Sequence, residues 1–229
     1  MTIRGVLFDL DGTLVDTAPD LVAALNALLA RRQAPPIPYA IGRNEVSNGA
    51  LGLIRLGFGT SCPEEQIEAL RQEFLDIYTR QVCVNSKIFN KLDGILNKLD
   101  DIGACWGIVT NKPHAMTEPL LDALGILHWP RCIISGDRLP ERKPHPAPLH
   151  LAARELGMDG AQCVYVGDAQ RDIEAGRAAG MATIAAAYGY IRASEQPERW
   201  GADLVIRRPA DLLGALERLN QERVARGMG

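Results

Sequence analysis

Apolar residues recur along the chain with two different periods, and the change from one to the other divides it. Residues 3–9 read as a first strand, whose apolar run Val6-Leu7-Phe8 stops at Asp9-Leu10-Asp11-Gly12-Thr13. A short run bounded by a turn predicts a strand buried on both faces of a parallel sheet. Leu21, Val22, Leu25, Leu28 and Leu29 then follow at helical spacing and predict an amphipathic helix over 18–32. Thr17 reads as its cap, with Asp20 three residues on, and Pro35-Pro36-Ile37-Pro38 breaks it. The pattern stays helical over 39–87, where Pro63-Glu64-Glu65 opens a helix with Ile67, Leu70, Phe74 and Ile77 as its buried stripe. No strand pattern appears between about 17 and 87. From about 91 helices and strands alternate. Helices are predicted at 92–102, 114–124, 146–156, 170–179 and 209–222, the first three stopped by Gly103, Gly125 and Gly157. Strands are predicted at 105–109, 132–135, 163–166, 182–186 and 203–206, with a fraying tail after the last helix.

Alternating strands and helices predict an α/β fold, a doubly wound, Rossmann-like parallel sheet. The helical stretch between the first strand and the rest is too long for a single crossover, so it reads as an inserted all-helical domain. The boundaries are 1–16 and 88–229 for the core and 17–87 for the insertion.

Composition narrows the setting. Of 229 residues, 47% are hydrophobic and 23% charged, ordinary for a globular protein, and the net charge is −3. An acidic balance argues against nucleic acid or an anionic membrane as partner. Cys62, Cys83, Cys105, Cys132 and Cys163 are scattered without close pairs, which points to a reducing compartment rather than a disulfide framework. Asp9 and Asp11 interrupt the first apolar stretch, unlike a signal peptide, and no apolar run approaches ~20 residues. We therefore expect a cytoplasmic protein, a monomer or homodimer.

The candidate chemistry lies at the strand ends. Residues two apart on a strand point the same way, so Asp9 and Asp11 emerge together. Their repulsion calls for a cation between them or a proton on one; a solvated acidic turn is the plain alternative. Thr110-Asn111, Lys143-Pro144 and Gly167-Asp168 with Asp172 end or follow the later strands. Asp168 and Asp172 share a face if a helix starts there. All lie on the carboxyl side of a parallel sheet, where ligands bind.

These four motifs, in this order, resemble those of the haloacid dehalogenase-like superfamily, and the resemblance spans nearly the whole chain, the insertion standing where that family carries a helical cap. It implies a phosphatase. Asp9 would be the nucleophile and Asp11 the general acid and base, its backbone carbonyl also touching the metal. Asp9, Asp11, Asp168 and Asp172 would form the Mg²⁺ site. Thr110, Asn111 and Lys143 would bind phosphate, with Lys143 also catalytic. An acid at Asp11 favours phosphate esters, since an alkoxide needs a proton and a halide does not. The partner would be a small phosphorylated metabolite.

Within the cap, Arg43-Asn44-Glu45-Val46-Ser47-Asn48-Gly49-Ala50 resembles the substrate loop of phosphoglycolate phosphatases, which implies Arg43, Ser47 and Asn48 as substrate contacts. Arg43 is expected either to pair with a substrate carboxylate or to be a solvated charge. Trp106–Pro113, Tyr188-Gly189-Tyr190 and Trp200–Asp203 are similar to N-acetylmuramic acid 6-phosphate phosphatases. 2-Phosphoglycolate is the first substrate expected and the muramic acid phosphate the alternative. A phosphomutase and a non-catalytic sensor are the remaining rivals. Lys112 reads either as added positive potential or as a solvated lysine, and Trp106 as core packing.

Overall fold

The computed structural model describes residues 2–59 and 62–225. Six parallel strands form one sheet in the order β5-β4-β1-β6-β7-β8. They are β1 (Gly5–Phe8), β4 (Cys105–Val109), β5 (Ile133–Ile134), β6 (Cys163–Gly167), β7 (Ala182–Ala186) and β8 (Leu204–Ile206). β1 lies centrally, with Leu7 registered against Gly107 on one side and Tyr165 on the other. The all-apolar stretch at its start is thus buried on both faces, as a central parallel strand requires.

Side chains alternate across the sheet. Val6, Phe8, Trp106, Ile108, Val164 and Val166 face α5 (Leu92–Asp101), α6 (His114–Ala123) and α9 (Leu212–Ala225). Leu7, Val109 and Tyr165 face α7 (Ala147–Glu155) and α8 (Gln170–Ala178). Trp106 is core packing, edge-on to Phe8 at 6.3 Å and to Trp129 at 5.4 Å.

Four helices, α1 (Ala18–Arg31), α2 (Tyr39–Glu45), α3 (Gly49–Phe58) and α4 (Glu64–Thr79), pack into a second cluster. Leu21, Leu25, Leu28 and Leu29 of α1 meet Leu53 and Ile54 of α3 and Ile67, Leu70 and Phe74 of α4; Met116 and Tyr190 join from the sheet side. Ile77 is only partly buried there, and Tyr78 takes the buried place expected of it.

Three local expectations change. A small antiparallel pair, β2 (Val15–Asp16) with β3 (Lys87–Ile88), flanks the helical unit, so its return is a strand and not helix. Thr17 makes no capping bond to α1 and instead donates its Oγ1 proton to Asp11. α9 runs on to Ala225, past the expected end at 222.

Candidate active site

The carboxyl ends of β4, β1 and β6 lie side by side in the sheet. Adjacency of these three strands brings residues distant in sequence together. Asp9 directly follows β1, Thr110 and Asn111 follow β4, and Asp168 follows β6. Lys143 comes from the loop after β5, and its Nζ lies 2.8 Å from Asp9 Oδ1 and 2.8 Å from Asp172 Oδ1. The same ammonium donates to Val109 O and Tyr165 Oη. These acceptors occupy its donors behind Asp9, and Lys143 is not on the cavity wall. In this arrangement Lys143 holds two carboxylates from behind the cavity wall.

Helical spacing puts Asp172 on one face with Asp168 only if the helix starts there. α8 instead begins at Gln170, after Asp168. Asp172 Oδ2 accepts the Ala169 N–H at 3.0 Å, capping the helix, and the turn rather than helical spacing unites the two acids.

Burial sets the electrostatics. It pushes Asp9 up to about 6, the nearby Asp172 charge adding to the rise and Lys143 opposing it. Burial, then the charges of Asp9 and Asp172, push Asp168 up to about 7. Lys143 is held above its ordinary range because Asp172 and Asp9 outweigh its own burial. One oxygen from each of Asp9, Asp168 and Asp172 lies within 4.8 Å of the others. Three crowded, buried oxygen donors fit a hard dication. The Asp11 carboxylate is not in this set. Its Oδ1 accepts from Thr17 Oγ1 at 2.6 Å and from Lys112 Nζ at 3.0 Å. Lys112 is buried on the cavity wall, with its ammonium 4.6 Å from the Tyr78 ring centre, so it is not a solvated lysine, and its charge lies at the site.

A cavity of about 510 Å³ opens between these strand ends and the helical unit. Asp9, Asp11, Thr110 and Asn111 line its floor, and Ser47, Asn48, Leu51, Phe74 and Leu75 line the opposite wall. Thr110 Oγ1 accepts the Lys112 N–H, which leaves its own proton uncommitted. Both ends of the Asn111 amide bind the Lys143 backbone, at 3.0 and 3.1 Å, so its main role here is to pin that loop.

Ser47 and Asn48 line the cavity, and Ser47 Oγ also donates to Asp168 Oδ2 at 3.0 Å. Arg43 does not reach it. Its guanidinium donates to Gly189 O and Tyr188 O and lies 4.8 Å from the Tyr190 ring centre. It is neither a cavity residue nor a solvated charge. Tyr190 is fully buried, its hydroxyl accepting from Thr17 and Ala18 N–H and donating to Asp16. Three arginines that the sequence does not single out, Arg71, Arg142 and Arg171, all line the cavity. Arg142 is adjacent to the Lys143-Pro144 motif, the one signal that pointed to it.

Fold and site together define an α/β enzyme with an acid-rich pocket at the carboxyl edge of a parallel sheet, roofed by helices. The chain belongs to the haloacid dehalogenase-like hydrolases, whose family model matches residues 6–186. It is 40% identical over 218 residues to the N-acetylmuramic acid 6-phosphate phosphatase of Pseudomonas aeruginosa, covering 95% of this chain and 96% of that one. It is 43% identical over 209 residues to the phosphoglycolate phosphatase of Xanthomonas campestris pv. campestris, covering 91% and 94%. The crystal structure of a predicted phosphoglycolate phosphatase from Haemophilus somnus superposes with a TM-score of 0.83 at 29% identity, covering 94% of this chain and 98% of that one.

Proposed function

We propose that the protein is a Mg²⁺-dependent phosphomonoesterase acting on a carboxylated phosphometabolite through a phosphoaspartate on Asp9. The observation that carries this is the position of Asp9. It directly follows the central strand, lines the cavity, and is held by Lys143 beside Asp168 and Asp172. Both curated relatives described above are phosphatases by name.

An Asp9 oxygen forms the new bond to phosphorus as the bond to the alkoxide breaks. Asp11, oriented by Thr17 and Lys112, gives the alkoxide a proton and later takes one from the water that cleaves the phosphoaspartate. The Thr110 hydroxyl is placed to donate to a phosphoryl oxygen. Asp9, Asp168 and Asp172 would hold Mg²⁺, which when bound neutralises the acids enough for a dianionic phosphate to approach. Lys143 positions Asp9 and Asp172. The five unpaired cysteines fit a reducing, cytoplasmic setting.

2-Phosphoglycolate and N-acetylmuramic acid 6-phosphate both carry the required carboxylate. The cavity favours the larger. At about 510 Å³ it lies in the range that encloses drug-sized ligands, and a two-carbon acid leaves most of it empty. Its apolar wall of Leu21, Leu51, Phe74, Leu75 and Met116 suits an acylated sugar.

The test is phosphate release with Mg²⁺ from 2-phosphoglycolate, N-acetylmuramic acid 6-phosphate, hexose phosphates and nucleotides, with Asp9→Asn as blank. The expected result is a carboxylated substrate ahead of the panel in kcat/KM and no turnover by Asp9→Asn. Substantial turnover by that variant overturns the nucleophile, and release of a phosphate isomer in place of inorganic phosphate would indicate a mutase.

A further inference from the structure

The cations of the cavity wall can be sorted by what already holds them. Lys112 is paired with Asp11. Arg171 donates to Ser47 O and is surrounded by Asp172, Asp9 and Asp168. Arg71 makes two hydrogen bonds to Glu68, at 2.8 and 2.7 Å. Arg142 is left. It lines the cavity, its side chain is exposed, and among the described residues no acid pairs with it.

Its backbone is nevertheless fixed. Asn111 grips the next residue on both its N–H and its carbonyl, and Arg142 O accepts the His145 N–H at 2.9 Å. An unpaired guanidinium on an anchored backbone beside the end of β4 is open to an incoming anion. The phosphoryl group has its own partners at Asp9, Thr110 and the metal acids. A guanidinium outside that set suits a second, planar anion, which a bidentate fork matches.

We propose that Arg142 binds the carboxylate of the substrate and so determines the preference for acidic phosphate esters. This rests on the phosphomonoesterase reading above and adds the residue that carries specificity. Arg71, already satisfied by Glu68, contributes less.

A matched pair of esters tests it. N-acetylmuramic acid 6-phosphate and N-acetylglucosamine 6-phosphate differ by one lactyl ether, which bears the carboxylate. The readout is the ratio of their kcat/KM values in the wild type, Arg142→Gln, Arg142→Lys and Arg71→Gln, with thermal unfolding as a check that each folds. Loss of a hydrogen bond to a charged group predicts that Arg142→Gln lowers the ratio about tenfold to a hundredfold, through KM. Arg142→Lys restores part of it and Arg71→Gln changes it less. An unchanged ratio in folded Arg142→Gln, or a larger fall in Arg71→Gln, overturns the assignment while leaving the phosphatase reading intact. A wild type that releases phosphate from neither ester, nor from any other, overturns that reading and this inference with it.

Discussion

Asp168 carries three demands at once. Its oxygens accept from Thr13 Oγ1, Ser47 Oγ and the Tyr190 N–H, and it sits against Asp9 and Asp172. The backbone must come very close to allow this. Gly12 has φ +85°, and a Cβ there would fall 2.2 Å from Asp168 Oδ2. Because burial raises Asp168 to about 7, the folded state prefers its protonated form. The penalty for its charge is small near the unfolded value of about 3.9 and complete above about 7. Metal-free protein should therefore lose stability from this group as the pH rises from 5 to 8. Asp168→Asn removes the titration, so its metal-free Tm should differ less between pH 5 and pH 8 than that of the wild type. Mg²⁺ should stabilise the wild type by about 2.7 kcal/mol at a hundredfold excess over Kd and Asp168→Asn hardly at all. A full Mg²⁺ shift in Asp168→Asn, read by scanning calorimetry, would remove Asp168 from the metal set.

At the scale of elements, Asp20 ties a helix to a distant loop. It stands in the first turn of α1, where the helix dipole favours an anion. Its carboxylate accepts the N–H groups of Val84, Asn85 and Ser86 and the Ser86 hydroxyl, at 2.6 to 3.0 Å. Burial alone would raise its pKa, but the Ser86 hydroxyl and these N–H groups together hold it below the usual carboxylate range. A lowered acid adds stability above its unfolded value, and that share is lost as pH falls through the lower folded value. Asp20→Asn should thus cost about 1–3 kcal/mol at pH 7. The difference from wild type should shrink below pH 4; a gap unchanged at pH 3 would mean that the charge does not matter. Such ties explain where sequence reading stops. β1 was legible because a central parallel strand must be apolar throughout, and its chemistry because Asp9, Thr110 and Asp168 directly follow strands. β2 and β3, two residues each, are too short for alternation to register. Thr17 has the composition of a cap, yet its hydroxyl turns to Asp11, six residues back. Lys112 and Arg142 lie in loops; no period marks them, and only the packing of distant segments decides that one is buried and the other free.

Across the whole molecule, one short stretch of the helical unit, residues 43–47, carries several of its polar contacts with the sheet side. Arg43 donates to the carbonyls of Gly189 and Tyr188, Glu45 pairs with Arg192, and Ser47 bridges Asp168 and Arg171. The partners lie on the loop after β7 and at the start of α8, so both sides of the cavity are set by one seam. A seam residue acts on every substrate alike, because it determines whether the roof is shut and water excluded, not what the roof touches. Arg43 makes two hydrogen bonds to carbonyls and one cation–π contact, together worth about 1–2 kcal/mol. Arg43→Ala should therefore lower kcat/KM about fivefold to thirtyfold, by the same factor for a carboxylated ester and for a neutral aryl phosphate. It should also speed amide exchange over 43–48 and 188–192, measured by mass spectrometry. A loss confined to carboxylated esters, with exchange unchanged, would return Arg43 to the substrate and show that the roof moves to deliver it.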